Sequence, residues 1–367
     1  MPVRATTSEV DEWKRKWILH FGEGRFPYLP GDRKSFSKRA TALTENSMTH
    51  KETSGRILHL QRLSTEDGPG IRTTIFFKGC PLRCWWCHNP ESLSTHVQVQ
   101  WLAERCIDCG TCLETCPNGC LSHTPQGIMI DRDCCQGCGA CADACPANAM
   151  ERLGRWVGVD ELLGELLKDR TFYGTSGGGV TASGGEPMLQ PDFIAAIFKQ
   201  LQAQGVHTAL DTCGNCSQDA LAKVLPHVDL ILFDLKEIDL GRHRMFTGVD
   251  NLRILSNLHF VRDTIAREGH PDLWIRTPLI PGATASRENI EGLGRFIAEE
   301  LDGVIERWEL CAFNNLCRDK YARLDMPWRY ADIPLLTAQE LHEWEVLAKD
   351  TGLDPIRVQA TGATQVA

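Results

Sequence analysis

Two copies of one cysteine pattern constrain this chain more than any other feature of its sequence. Cys106, Cys109, Cys112 and Cys116 follow the spacing Cys-x2-Cys-x2-Cys-x3-Cys, with Pro117 after them. Cys135, Cys138, Cys141 and Cys145 repeat it, with Pro146 after them. This is the bacterial ferredoxin run for 4Fe–4S clusters, in which the fourth cysteine of each run ligates the other cluster. The expected sets are Cys106, Cys109, Cys112 with Cys145, and Cys135, Cys138, Cys141 with Cys116. Zinc is the alternative, but zinc sites pair two near ligands with two distant ones, whereas each run supplies four in a short span. Residues 97–150 thus read as a ferredoxin-like insertion carrying two clusters. Electron delivery or partner docking is its expected role; the plainer one is that the metals only hold the insertion together.

A third group lies upstream, in Lys78-Gly79-Cys80-Pro81-Leu82-Arg83-Cys84-Trp85-Trp86-Cys87-His88. Three thiolates, Cys80, Cys84 and Cys87, hold three irons of a cubane cluster. The fourth iron is left without a protein ligand nearby, and an open iron binds and breaks a small molecule. Zinc on the same three cysteines, with His88 as fourth ligand, is the alternative.

The chain has 367 residues, room for one large α/β domain and a small one. Its seventeen cysteines are too many for chance. Disulfides do not persist in a reducing compartment, so clustered cysteines point to metal. Six lie outside the three groups: Cys120, Cys134, Cys213, Cys216, Cys311 and Cys317. Cys213-x2-Cys216 has metal-like spacing; otherwise these six read as small apolar residues in a reduced interior. A net charge of −9 argues against nucleic-acid binding, which wants a basic face. No apolar run reaches the length of a membrane span, and the start lacks a signal layout, so a cytoplasmic protein is expected, with neither membrane nor nucleic acid as partner.

Residues 1–47 hold nine Lys/Arg against six Asp/Glu, broken by Pro27, Pro30 and Gly31. They read as a poorly structured extension with a short basic helix over 10–21, and Met48 is an alternative start. From Ile57 strands and helices alternate. Strands are expected at Ile71–Phe77, Val180–Ser183, Thr208–Asp211, Leu230–Asp234, Leu273–Leu279 and Arg307–Phe313, apolar and β-branched as buried parallel strands are. Leu162, Leu163, Leu166 and Leu167 form one helical stripe. Pro191 starts a helix that stops at Gly205, and Ser286 caps another. Six such units give an α/β fold, an open partial (β/α)6 barrel of the TIM type, over 48–96 and 151–367.

Further motifs bring a resemblance. Ser64-Thr65-Glu66-Asp67-Gly68-Pro69-Gly70-Ile71-Arg72 precedes the three-cysteine loop, and Ser183-Gly184-Gly185-Glu186-Pro187 ends the second strand. Asp211 ends the third strand, Asp234-Leu235-Lys236 the fourth, and Arg276 lies on the fifth. Together, from about Ile57 to Tyr321, these residues resemble the radical S-adenosylmethionine (SAM) enzymes that activate glycyl radical enzymes, in the subgroup with a two-cluster insertion. The resemblance implies an oxidoreductase of anaerobic metabolism with SAM on a catalytic 4Fe–4S cluster at Cys80, Cys84 and Cys87, and two auxiliary clusters. It implies SAM contacts at Trp86, Cys87, His88, Gly185, Glu186, Asp211, Asp234, Leu235, Lys236, Arg276 and Asn314. Glu186 would meet the SAM amino group, and Asp211 and Asp234 a monovalent cation. It also implies a glycyl radical enzyme as protein substrate and a flavodoxin or ferredoxin as reductant. His243-x3-Thr247-Gly248-x2-Asn251 matches the family too and reads as structural. One departure stands out. Where the family carries Pro-Tyr-His after the sixth strand, this chain has Ala312-Phe313-Asn314, and Asn cannot carry charge.

Two other readings stay open: a peptide-modifying radical SAM maturase, and a ferredoxin-like electron carrier that is no enzyme. Eight ligands for two auxiliary clusters leave no free iron for a maturase substrate, and the carrier reading leaves the three-cysteine loop without a purpose.

Overall fold

The computed structural model describes residues 53–365. The N-terminal extension, its basic helix and Met48 lie outside the described residues. In chain order the described strands are β1 (Ser54–Ser64), β2 (Arg72–Phe77), β3 (Gln98–Trp101), β4 (Leu121–Thr124), β5 (Gly127–Ile130), β6 (Met150–Leu153), β7 (Arg155–Gly158), β8 (Gly179–Gly184), β9 (His207–Thr212), β10 (Leu230–Asp234), β11 (Asp272–Leu279), β12 (Arg307–Ala312) and β13 (Val358–Thr361).

Nine of them form one mixed sheet in the order β13-β12-β11-β10-β9-β8-β2-β1-β7. From β2 to β13 all neighbours are parallel. The six expected strands are the middle of this run, and the sheet extends past them at both edges. β13 adds a seventh parallel strand, while β1 and β7 pair antiparallel at the other edge. These edge strands are short or mostly polar, which hid them from a reading based on apolar runs.

Alternation along each strand separates two faces. Ile75, Phe77, Val180, Ala182, Leu210, Ile231, Phe233, Leu273, Ile275, Trp308 and Leu310 turn to the helices and join the main core. The helices give it Leu162 and Leu166, then Phe193, Ile194, Ile197, Phe198 and Leu201, then Ile290, Leu293 and Ile297. Pro191 stands at the first turn of the helix Pro191–Ala203, and Ser286 Oγ accepts from Asn289 N at the start of Arg287–Glu300. On the opposite face Ala209, Leu230, Leu232 and Trp274 form one apolar patch, and Leu58 and Phe76 form another with Leu153 and Leu324. Beyond the first, toward the carboxyl ends of the strands, that face is polar.

The insertion leaves after the cluster loop and returns at β6. β3 pairs antiparallel with β6, Gln98 opposite Leu153 and Trp101 opposite Met150. β4 and β5 make a second hairpin. The β3–β6 pairing runs on to Leu153, three residues past the expected end at Met150. The insertion is tied down by Arg132, which donates to the carbonyls of Val99 (2.6 Å) and Arg323 (2.8 Å) and pairs with Asp325 (3.2 Å).

One expectation fails here. Cys120 and Cys134 are joined by a disulfide, so they are not separate apolar thiols. The β4–β5 hairpin lies between them in sequence and brings its two flanks together.

Candidate active site

The loop after β2 is built by contacts from distant parts of the chain. Lys78, 2% exposed, donates Nζ to the Glu91 carbonyl at 2.6 Å and to Gln98 Oε1 at 3.1 Å, bracing the start of the loop. Burial lowers its pKa to about 8. The amides of Arg83 and Trp85 donate to the carbonyls of Thr247 and Phe246. The His243–Asn251 motif thus frames the loop from below, with His243 and Thr247 both engaging the Val249 carbonyl.

The Gly-Gly-Glu turn meets this loop directly. Glu186 N donates to the Gly79 carbonyl at 2.7 Å and Gly185 N to the Phe77 carbonyl at 3.0 Å. A Cβ on Gly185 would lie 2.1 Å from the Gly79 oxygen, and one on Gly184 would lie 2.4 Å from Phe77 N. The glycines are required because backbone packs on backbone here. Glu186 differs from its expected role of facing an ammonium group. It is fully buried. Its carboxylate accepts from Met188 N (2.9 Å), Thr212 Oγ1 (2.7 Å) and Cys213 N (2.8 Å). It locks the ends of β8 and β9 together.

The upstream motif is a lock as well. Arg72 is 0% exposed and donates to Thr181 Oγ1, Pro69 O and Val180 O. Asp67 Oδ2 accepts from Ser64 and Thr74 hydroxyls at 2.6 Å each.

A far wall covers the cysteine loop. In the helix Arg318–Arg323, Tyr321 donates its hydroxyl to the Cys87 carbonyl at 2.9 Å. Lys320 donates to the His88 carbonyl and Asn89 Oδ1 and pairs with Glu91 at 2.8 Å. Trp328 Nε1 donates to the Trp85 carbonyl at 3.2 Å, and the Arg329 guanidinium stacks 3.8 Å above the Trp85 ring. Trp86 is 5% exposed among Phe246, Phe313, Tyr321, Trp328 and Tyr330. Its side chain packs in this aromatic cluster. His88 donates Nε2–H to the Asn314 carbonyl at 3.0 Å, and the Asn314 side chain accepts from Leu316 N. Asn314 therefore meets the loop through its backbone. Lys320, Tyr321 and Trp328 carry no motif, and nothing in the sequence points to them.

Between loop and sheet lies a charged group at the strand ends. Asp211 accepts from Ser183 Oγ at 2.5 Å, and Asp234 accepts from Lys236 Nζ at 2.5 Å. Arg276 pairs with Glu309 at 2.9 Å, approaches Asp211 at 3.9 Å and donates to the Glu66 carbonyl at 3.3 Å. Register explains the grouping, since Asp234 stands opposite Arg276 and Arg276 opposite Glu309. Burial and the Asp234 charge raise Asp211 to about 7 against the pull of Arg276 and Ser183. Burial works against the Lys236 charge, but Asp234 and Cys84 outweigh it and hold its pKa above the ordinary lysine value. Leu235 is 1% exposed, with its side chain in the main core and its amide bonded to the Arg276 carbonyl.

The three thiols of the loop lie in one another's field. Burial first, and then neighbouring thiols or carboxylates, push each of Cys80, Cys84 and Cys87 up to about 12, with Lys236 pulling Cys84 the other way. Such thiols ionise only beside a strong positive charge, which iron supplies. The donor set and its setting fit a cluster.

In the insertion, two cavities sort the cysteines across the repeat. One is lined by Cys106, Cys109, Cys112 and Cys145, the other by Cys116, Cys135, Cys138 and Cys141. Among the described residues no three His, Cys, Asp or Glu side chains are gathered around a single-ion site. Cys213 and Cys216 are buried beside Glu186 and in the main core. No helix among the described residues is long and apolar enough to cross a membrane.

The model of the radical SAM superfamily matches residues 74–293. The chain is 38% identical over 284 residues to the (2S)-3-sulfopropanediol dehydratase activating enzyme of Klebsiella oxytoca, covering 76% of this chain and 88% of that one. It is 39% identical over 288 residues to the trans-4-hydroxy-L-proline dehydratase activating enzyme of Clostridioides difficile, with 78% and 93% covered. It is 40% identical over 280 residues to the benzylsuccinate synthase activating enzyme of Thauera aromatica, with 75% and 83% covered. A strand-end charge set facing a three-cysteine loop, with these likenesses, defines the class: the chain belongs to the radical SAM superfamily. Within it, the chain is an activating enzyme of glycyl radical enzymes.

Proposed function

We propose that this activating enzyme holds its SAM-cleaving 4Fe–4S cluster on Cys80, Cys84 and Cys87 and two auxiliary clusters on the cross-paired sets of the insertion, three in all. The six central parallel strands would then act as a partial barrel, open on the side where a partner's glycine loop enters. The carrying observation is that three half-buried thiols on one loop face the polar strand ends, with the Gly-Gly-Glu turn bonded to the start of that loop.

Bound there, a cluster with one open iron supplies reductive cleavage of SAM to methionine and a 5′-deoxyadenosyl radical that takes hydrogen from a backbone glycine of the partner. The chain's own residues orient and enclose. Lys236 and Arg276 offer positive charge to the SAM carboxylate, while Asp211 and Asp234 offer negative charge to its ammonium or to a monovalent cation. Carbonyls of the Gly184–Gly185 turn supply acceptors in place of the Glu186 side chain. Tyr321, Trp328 and Phe313 exclude water from behind the loop, which protects a reactive intermediate. The insertion takes electrons from a flavodoxin or ferredoxin. Thiols that ring a cavity, rather than converging on a point, support a polynuclear guest there over zinc.

Two measurements test the reading. The loaded chain should hold about twelve irons, where a carrier without the loop cluster holds about eight. Replacing Cys84 by Ala should abolish methionine formation from SAM, and unchanged cleavage would overturn the assignment.

A further inference from the structure

Cys120 and Cys134 lie between the two runs and belong to neither. They form the one disulfide among the described residues, with Cα atoms 5.5 Å apart, while the other fifteen described cysteines are free. The bond sits in the wall of one cavity. Cys120 lines it beside Cys116, Cys135, Cys138 and Cys141, and the Cys120 amide donates to the Cys116 sulfur at 3.4 Å. Cys134 immediately precedes Cys135, and its amide is held by Asp131 Oδ1 at 3.1 Å. The cross-link therefore fastens together the two stretches of chain that bring Cys116 and Cys135 to the same cavity from different runs.

Its neighbours make a permanent bond chemically unstable. A thiolate attacks a disulfide sulfur and exchanges with it. Cys116 and Cys135 are both adjacent, and as free thiolates they would shuffle the pairing. Tied to iron, their thiolates are engaged as ligands and are far poorer nucleophiles. The bond is thus compatible with a loaded cavity and labile in an empty one.

We propose that Cys120 and Cys134 are a reversible oxidative cross-linking site, closed by a low-molecular-weight disulfide on the loaded insertion, which locks the Cys116–Cys135 side of the cavity. Cys134 is partly exposed and Cys120 is 3% exposed, so Cys134 is the sulfur that meets the oxidant. The Cys134 thiolate attacks one sulfur of the oxidant, whose S–S bond breaks and releases one thiolate. The Cys120 thiolate then attacks the Cys134 sulfur of the mixed disulfide and releases the second. The two cysteines lose two electrons together, the oxidant gains two, and the two protons pass to the released thiolates. Excess thiol reverses both steps. The consequence for iron rests on the reading above that the cavity holds a cluster; the cross-link itself does not.

The test uses the full chain, loaded without oxygen and exposed to oxidised glutathione. Thiols are trapped with N-ethylmaleimide under denaturing conditions and peptides are mapped by mass. One bridged Cys120–Cys134 peptide should form, and iron loss to a chelator should be several-fold slower than in chain kept with thiol reductant. Cys134→Ser should load the same iron, give no bridge, and lose iron at the reduced-chain rate with or without oxidant. Alkylation of both cysteines after oxidation would overturn the proposal, as would equal rates of iron loss from bridged chain and Cys134→Ser. If the loaded chain holds only about four irons, the insertion reading has failed, and the bridged peptide alone decides the cross-link.

Discussion

The Cys80–Cys87 loop and the insertion hold their thiols in opposite ways. The loop's three sulfurs belong to half-buried residues, and desolvation pushes each up to about 12. Their positions depend on backbone bonds to Gly185, Glu186, Phe246, Thr247, Tyr321 and Trp328, residues far along the chain. In the insertion exposure varies along each run, with Cys109 and Cys138 exposed and Cys112 and Cys141 buried, and Cys109 has its pKa lowered by the Thr111 hydroxyl and amide two residues away. Local spacing positions those sulfurs; the whole domain positions the others. A site that must exclude water and admit a cosubstrate needs the second kind of support, and on the proposed reading an insertion that holds only clusters does with the first.

The contrast can be broken most sharply at the cysteines. Cys84→Ala should leave no methionine formation, whereas Cys109→Ala should remove about four irons yet keep cleavage driven by dithionite. Loss of dithionite-driven cleavage in Cys109→Ala would erase the distinction. Gly185→Ala is the next largest, because its Cβ would meet only backbone, the Gly79 oxygen at 2.1 Å and the Ser92 oxygen at 3.2 Å. It should cost on the order of 1–3 kcal/mol of stability, read by denaturant unfolding, and lower iron in the loop while leaving insertion iron unchanged.

Asp211 gives the loop region a pH dependence. Its carboxyl, raised to about 7, is largely neutral below that pH and draws no cation. SAM binding by isothermal calorimetry should tighten from pH 6 to 8, by at most about tenfold per pH unit, and Asp211→Asn should flatten the profile. The sign for stability is the reverse. The folded carboxyl holds its proton more tightly than the unfolded one, so its stabilising contribution is complete below the unfolded value of about 4 and is lost as pH rises through about 7. Asp211→Asn should therefore stabilise the empty chain at pH 8. Tyr321→Phe is the smallest change. It removes one hydrogen bond to the Cys87 carbonyl, at a cost of about 1 kcal/mol, seen as a small fall in the unfolding midpoint with the insertion unaffected.

Much of this was legible in the residues because spacing is local. The six central strands announced themselves by apolar β-branched runs, and the cysteine periods foretold which sulfurs would share a cavity. What stayed hidden was tertiary. Glu186 turns inward because two donors from β9 and the turn after it reach it, with the Met188 amide of its own turn as a third, which no motif records. Lys320, Tyr321 and Trp328 act on a loop far upstream through common residue types in no special pattern. Cys120 and Cys134 looked like leftovers because a disulfide is a matter of proximity, and the β4–β5 hairpin that supplies it reads weakly.

The lid over the cysteine loop also sets a timetable. Tyr321 is separated from Cys87 by 234 residues. At roughly 5–20 residues per second of synthesis, the loop emerges from the ribosome on the order of ten seconds or more before its closing helix exists. During that interval nothing from the C-terminal segment stands between Cys80, Cys84 and Cys87 and an iron–sulfur donor. Completion of the chain adds the last wall behind the loop.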